Sequence, residues 1–157
     1  MRIGIFSDSH GDTYALKRAI SKIGKVDMLI HLGDFYMDAV HIENELKINI
    51  IYVKGNCDYS QDVDLEKIIE VDNKRLLITH GHKYNVKNSY NNLYYKAMEE
   101  KIDIALFGHT HHPEVIQKGN ILLINPGSVS RPKNSVETCA VISIENGVID
   151  PSLIELY

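Results

Sequence analysis

Three short apolar runs, separated by two stretches of helical periodicity, restrict the fold of this chain more than any other feature. Arg2–Phe6, Met28–Leu32 and Ile48–Val53 are β-branched and Leu-rich, of strand length, and end at Gly or polar residues. Between the first two, Ala15, Leu16, Ala19, Ile20 and Ile23 recur with helical spacing, and Asp12 or Thr13 can cap the start. Between the second and third, Phe35, Ala39, Ile42 and Leu46 do the same. A strand–helix–strand–helix–strand order of this length implies parallel pairing through right-handed crossovers.

The second half changes style. Glu66–Val71 and Arg75–Thr79 flank Asp72-Asn73-Lys74, Glu114–Gln117 and Ile121–Ile124 flank Lys118-Gly119-Asn120, and Cys139–Ile144 and Val148–Ile149 flank Glu145-Asn146-Gly147. Each reads as a hairpin, because Gly and Asn supply the positive φ that tight turns need. A third helix fits Val86–Lys101, with Val86, Tyr90, Leu93, Tyr94, Ala97 and Met98 along one face, and Ile102–Phe107 follows as a buried strand. About ten strands and three helices in 157 residues predict an α/β fold, a layered α-β-β-α sandwich of two mixed sheets, in a single domain over 1–157.

Composition narrows the function. Seventeen Lys and Arg against 21 Asp and Glu give a net charge of −4, no footprint for a dedicated nucleic-acid binder. The apolar runs are too short for a membrane span. Asp8 stands where an export signal would need an apolar core, so the chain is expected to be cytoplasmic. Cys57 and Cys139 form no CxxC motif and do not call for an oxidising compartment.

The eight histidines are not scattered. Asp8-Ser9-His10 follows the first strand, Gly33-Asp34 the second and Gly55-Asn56-Cys57-Asp58 the third. His80-Gly81-His82 follows the strand at Arg75–Thr79, and Gly108-His109-Thr110-His111 follows Ile102–Phe107. Ligand sites in α/β sheets form beyond the carboxyl ends of strands, so these groups can converge. Two Asp, one Asn and four His offer mixed nitrogen and oxygen ligation without thiolate, which suits Mn, Fe, Zn, Co or Ni. Seven donors are too many for one ion and right for two sharing a carboxylate. Such a pair, about 3.5–4 Å apart, deprotonates a water and binds both oxygens of a phosphoryl group.

These motifs, D-x-H at 8–10, G-D at 33–34, G-N-x-D at 55–58, the histidine at 80 and G-H-x-H at 108–111, resemble the calcineurin-like metallophosphoesterase family, in family order. Within it the chain looks most like the compact prokaryotic phosphodiesterases, whose eukaryotic relative of the same fold is the retromer subunit Vps29. The resemblance implies that Asp8, His10 and His111 hold one divalent ion and Asn56, His80 and His109 a second, with Asp34 bridging. It further implies in-line attack on phosphorus by a bridging hydroxide, Mn2+ as the foremost metal, with Ni2+, Zn2+, Fe2+, Co2+ or Mg2+ as alternatives, and a small phosphodiester or nucleotide-derived substrate. Asp34, Asn56, Cys57, His80 and His109 are the implied catalytic set. A homo-oligomer remains open.

One position departs from the larger family, which usually carries a leaving-group-protonating His where this chain has Cys57. A thiol, with a reference pKa of about 8.5, is a poorer acid near neutrality, so aryl and diester substrates are expected. Cys57 as the nucleophile of a Cys–His hydrolase is disfavoured, since no third orienting group is evident and the other donors would be unexplained. A non-catalytic binding module on the same fold is the main rival, with Cys57 in its favour and the complete donor set against it. A nuclease is a weaker one, for lack of a basic groove. His31 reads as structural, His41 and His112 as surface or flanking residues, and His82 as a neighbour of the site. Asp58 either orients Cys57 or caps the following segment, and Ser128 lies in a turn nearby.

Overall fold

The computed structural model describes residues 1–157, as ten strands, three α-helices and one 3-10 turn. The expected strand and helix alternation is present as β1 (Arg2–Phe6), α1 (Thr13–Ile23), β2 (Met28–His31), α2 (Tyr36–Leu46) and β3 (Ile50–Tyr52). Next come β4 (Glu66–Val71), β5 (Lys74–Thr79), α3 (Asn91–Glu99) and β6 (Ile104–Leu106). The chain closes with β7 (Pro113–Lys118), β8 (Ile121–Pro126), β9 (Thr138–Glu145) and β10 (Val148–Glu155). One sheet runs β10-β9-β1-β2-β3 and the other β4-β5-β6-β8-β7. β1 pairs in parallel with β2 and β2 with β3, while each of the three expected hairpins is antiparallel.

Alternation along each strand divides the core into three layers. Ile3, Ile5, Ile30 and Leu32 meet Leu76, Ile78, Ile104 and Ile124 between the sheets. Phe6 and Val141 face Leu16, Ala19 and Ile42 of α1 and α2 on one outer side. Leu77, Ala105 and Leu123 face Leu93 and Ala97 of α3 on the other. The result is the expected α-β-β-α sandwich. No helix is long and apolar enough to cross a membrane.

Two boundaries depart from the periodicity. α3 starts at Asn91 rather than Val86, because 86–90 is irregular chain that seats Val86 in the core; Met98, expected on the buried face, is 53% exposed. β10 continues through Pro151 to Glu155, beyond the expected Val148–Ile149. Proline cannot donate to a ladder, but β10 is the outermost strand of its sheet, where a missing donor is tolerated.

Candidate metal centre

All seven expected donors stand beyond the carboxyl ends of β1, β2, β3, β5 and β6, at one edge shared by the two sheets. The loops that carry them are laced together. The Asp8 amide donates to Gly33 O at 3.1 Å, the His10 amide to Asp34 O at 3.4 Å, and the Gly108 amide to His80 O at 2.9 Å. A Cβ on Gly108 would sit 2.0 Å from Ser7 Oγ and 2.8 Å from Asp8 Oδ2, so only glycine lets this loop reach the carboxylate. Asp8, His10, Asp34, His109 and His111 all have φ between 49° and 69°. Left-handed backbone costs a non-glycine residue on the order of 1 kcal/mol, and such strain collects where the surroundings over-determine a site.

The ligand atoms fall into two groups. Asp8, His10, Asp34 and His111 form one and Asp34, His80 and His109 the other, each with its atoms within 4.8 Å of one another. Asn56 Oδ1, 3.1 Å from His80 Nε2, joins the second. Asp34 belongs to both, with Oδ2 3.7 Å from His10 Nε2 and Oδ1 3.4 Å from His80 Nε2.

Hydrogen bonds outside the cluster fix the tautomers. His80 Nδ1 donates to Leu32 O at 2.9 Å and His111 Nδ1 to Arg131 O at 2.7 Å, since a carbonyl only accepts. In the neutral rings both Nε2 atoms therefore turn lone pairs inward. His111 Nε2 lies 3.0 Å from Asp8 Oδ1 and 3.2 Å from His10 Nε2, and His80 Nε2 lies 3.2 Å from His109 Nδ1. Ser7 Oγ and the His109 amide donate to Asp8 Oδ2, at 2.5 and 3.2 Å. Asp8 Oδ1 is buried and has no aligned donor, His111 included despite the short separation. Electron-rich atoms this close repel unless protons or cations lie among them, so the residues fit divalent ions.

Protonation follows the same geometry. Burial raises the Asp34 carboxyl, but His80 and the donating Cys57 amide outweigh it and hold it far below the usual range. At Asp8, burial is likewise outweighed by His111, His80 and Ser7, and the net shift is downward. Burial lowers His80, yet Asp34 and Asp8 raise it more; contact with Asp8 raises His111. His10 is lowered by burial, and His109 falls to about 4 through burial, the charge of His80 and that of Lys87. Of the four rings, His80 and His111 are thus shifted toward the protonated form and His10 and His109 away from it.

A buried chain of polar groups supports the first two loops. The Gly33 amide donates to His31 Nδ1 at 3.2 Å, so His31 Nε2 carries the proton and donates to Ser9 Oγ at 3.0 Å. Ser9 Oγ donates to Asp38 Oδ2 at 2.6 Å, which also receives the Gly11 amide at 2.8 Å. His31 is thus structural, as expected; Ser9, the middle residue of D-x-H, and Asp38 carry no role that the sequence alone assigns. Asp58 makes no side-chain hydrogen bond to the Cys57 thiol or to the segment after it. Its oxygens accept from the amides of Phe35, Tyr36 and Gly55, tying the Asn56 loop to the start of α2.

Cys57 is free, and burial with the neighbouring Asp34 pushes its thiol up to about 11, which removes the thiolate a nucleophile needs. Ser128 Oγ donates to Asp8 O at 2.8 Å, in the expected turn. The His82 ring lies 5.4 Å from that of His80 and 6.1 Å from that of His109. His41 is exposed beside Glu45, and His112 is exposed with its amide on Thr110. Tyr90 packs on Phe107 and donates its hydroxyl to Glu114.

Two five-stranded sheets carrying two donor groups around one shared carboxylate define a divalent-metal-binding α/β sandwich. Residues 1–147 match the calcineurin-like phosphoesterase superfamily domain, and the chain belongs to that superfamily. It is 34% identical to the probable metallophosphoesterase YsnB of Bacillus subtilis, covering 100% of this chain and 90% of that protein. It is 31% identical to a phosphodiesterase of Methanocaldococcus jannaschii, covering 92% of this chain and 94% of that protein. A phosphoesterase-like protein from Streptococcus pneumoniae superposes with a TM-score of 0.84 at 31% identity, over 99% of this chain and 92% of that one. Vps29 of Entamoeba histolytica shares the fold at a TM-score of 0.76 and 18% identity, over the whole of both chains.

Proposed function

We propose that this chain is a dinuclear metal-dependent phosphodiesterase acting on a small or nucleotide-derived diester. Asp8, His10 and His111 hold one ion, Asn56, His80 and His109 the other, and Asp34 reaches both. The observation that carries this reading is the pair of donor groups sharing Asp34, with His80 and His111 locked lone-pair inward by Leu32 O and Arg131 O. Bound divalent ions, Mn2+ foremost, supply Lewis acidity that acidifies water and draws in phosphoryl oxygens. The protein holds those ions by its carboxylates and rings, and fixes ring direction through the carbonyls behind them. Cys57, beside Asn56, keeps its proton near neutrality and is a weak acid toward a leaving oxygen, which favours diesters and aryl esters.

Hydrolysis of bis(p-nitrophenyl) phosphate and p-nitrophenyl phosphate by metal-stripped protein, with Mn2+, Ni2+, Zn2+ or Mg2+ restored singly, tests the reading. Metal-restored turnover favouring the diester, lost in Asp34→Ala and His109→Ala, is expected. A monoester preference would reverse the substrate assignment. Two tightly bound ions without turnover would favour the non-catalytic binding module, to which the absence of histidine at position 57 already lends some support.

A further inference from the structure

Next to the donor cluster lies a cavity of 310 Å3 whose chemistry the metal ligands leave unused. Val86, Lys87 and Tyr90, from the segment entering α3, form one wall, and Lys133 and Asn134, from the β8–β9 loop, form another. Thr110 and His112, on either side of His111, join them. The walls are tied to the metal centre. Thr110 Oγ1 accepts from Asn125 Nδ2 at 2.9 Å, and Asn125 is fully buried. The Lys133 amide donates to His111 O at 3.0 Å, and the charge of Lys87 reaches His109.

The charge of this corner runs against that of the chain. Five of the 13 lysines have a carboxylate partner; Lys87 and Lys133 are among the eight that have none, and they are the two that line this cavity. No Asp or Glu lines the cavity; the one nearby carboxylate, Glu114, stays charged while accepting from the Tyr90 hydroxyl, and is held behind the Tyr90 wall. Two free cations about a polar concavity, in a protein of net charge −4, suit an anion. The volume is at the low end of ligand pockets, about 300 Å3, and suits one arm of a substrate rather than a polymer.

We propose that this cavity binds a second phosphate, carried on one arm of the substrate, so that the enzyme selects phosphodiesters bearing a terminal phosphate over diesters with uncharged arms. This rests on the phosphodiesterase reading above, with the reacting phosphorus at the donor cluster and the remote phosphate between Lys87 and Lys133. Tyr90 acts as a wall, its ring packed on Phe107 and its hydroxyl on Glu114.

The p-nitrophenyl 5′-esters of thymidine 3′,5′-bisphosphate and of thymidine 5′-phosphate share one reacting centre and differ in the remote phosphate. Each ammonium–phosphate contact in a wet cleft is worth about fivefold at low salt, so the bisphosphate ester should lead by roughly tenfold or more in kcat/KM. That ratio should fall toward one in Lys87→Gln/Lys133→Gln and with added salt, and persist in a Lys25→Gln/Lys101→Gln control. A wild-type ratio near one, or one that survives the loss of both lysines, would overturn the proposal. Calorimetric binding of thymidine 3′,5′-bisphosphate to metal-free protein separates this failure from that of the phosphodiesterase reading. Binding that weakens several-fold in the double variant supports the subsite even if neither ester is hydrolysed, and binding indifferent to the lysines refutes it.

Discussion

Ser9→Ala cuts the buried chain behind the first donor group at its centre. The Ser9 hydroxyl accepts from His31 Nε2 at 3.0 Å and donates to Asp38 Oδ2 at 2.6 Å; Ser9 and His31 are fully buried and Asp38 nearly so. Alanine leaves the His31 Nε2–H without an acceptor, at a cost of about 1–3 kcal/mol, and removes a hydrogen bond to a carboxylate of similar worth. Asp38 keeps the Gly11 amide, so a total of about 2–4 kcal/mol is expected. Because Ser9 lies between Asp8 and His10, affinity for the first ion should also fall about 10–100-fold, the usual effect of removing a ligand's supporting contact. Urea unfolding of metal-stripped protein measures the first quantity and calorimetric Mn2+ titration the second. Ile142→Val, a core change expected to cost about 0.5–1.5 kcal/mol far from these hydrogen bonds, should leave Mn2+ affinity unaltered. A stability loss below about 0.5 kcal/mol for Ser9→Ala, with unchanged Mn2+ binding, would refute the positioning argument.

Gly108→Ala places a methyl 2.0 Å from Ser7 Oγ and should cost about 1–3 kcal/mol while displacing Asp8; thermal unfolding with Mn2+ titration checks this, and wild-type affinity would contradict it. Burial holds His31 neutral, with its pKa lowered to about 4 although Asp38 opposes the shift. The unfolded ring titrates near 6.5, so this contribution is full above pH 6.5 and is lost as pH falls toward 4, about 3 kcal/mol in all. Ring NMR showing a midpoint near 6.5 in the folded protein would contradict it. Cys57→Ala should slow an alkyl-armed diester more than bis(p-nitrophenyl) phosphate, because only the poorer leaving group needs a proton; equal losses would remove Cys57 from proton donation.

The donor set was legible because each member follows an apolar run, and strand ends of one α/β sandwich meet at a common edge. Residues up to 103 positions apart, Asp8 and His111, come together on that logic alone. The supporting groups were not legible. Ser9, Asp38 and Asn125 are short polar residues of kinds that commonly cap helices or make turns, and nothing in their local sequence marks them as buried. Asp58 bonds to amides more than twenty positions back, a pairing fixed only by the parallel register of β2 and β3. The extent of β10, expected at Val148–Ile149, and the start of α3 differ from the sequence reading for a related reason. An edge position excuses the missing donor of a proline, and burial of Val86 holds 86–90 out of the helix, both tertiary facts.

The central claim is that two ions share Asp34. Crystals grown with Mn2+ and measured for anomalous scattering test it most directly. Two peaks about 3.5–4 Å apart, one among Asp8, His10 and His111 and one among Asn56, His80 and His109, with Asp34 between them, are expected. A single peak, or two peaks that leave Asp34 unligated, would contradict the account.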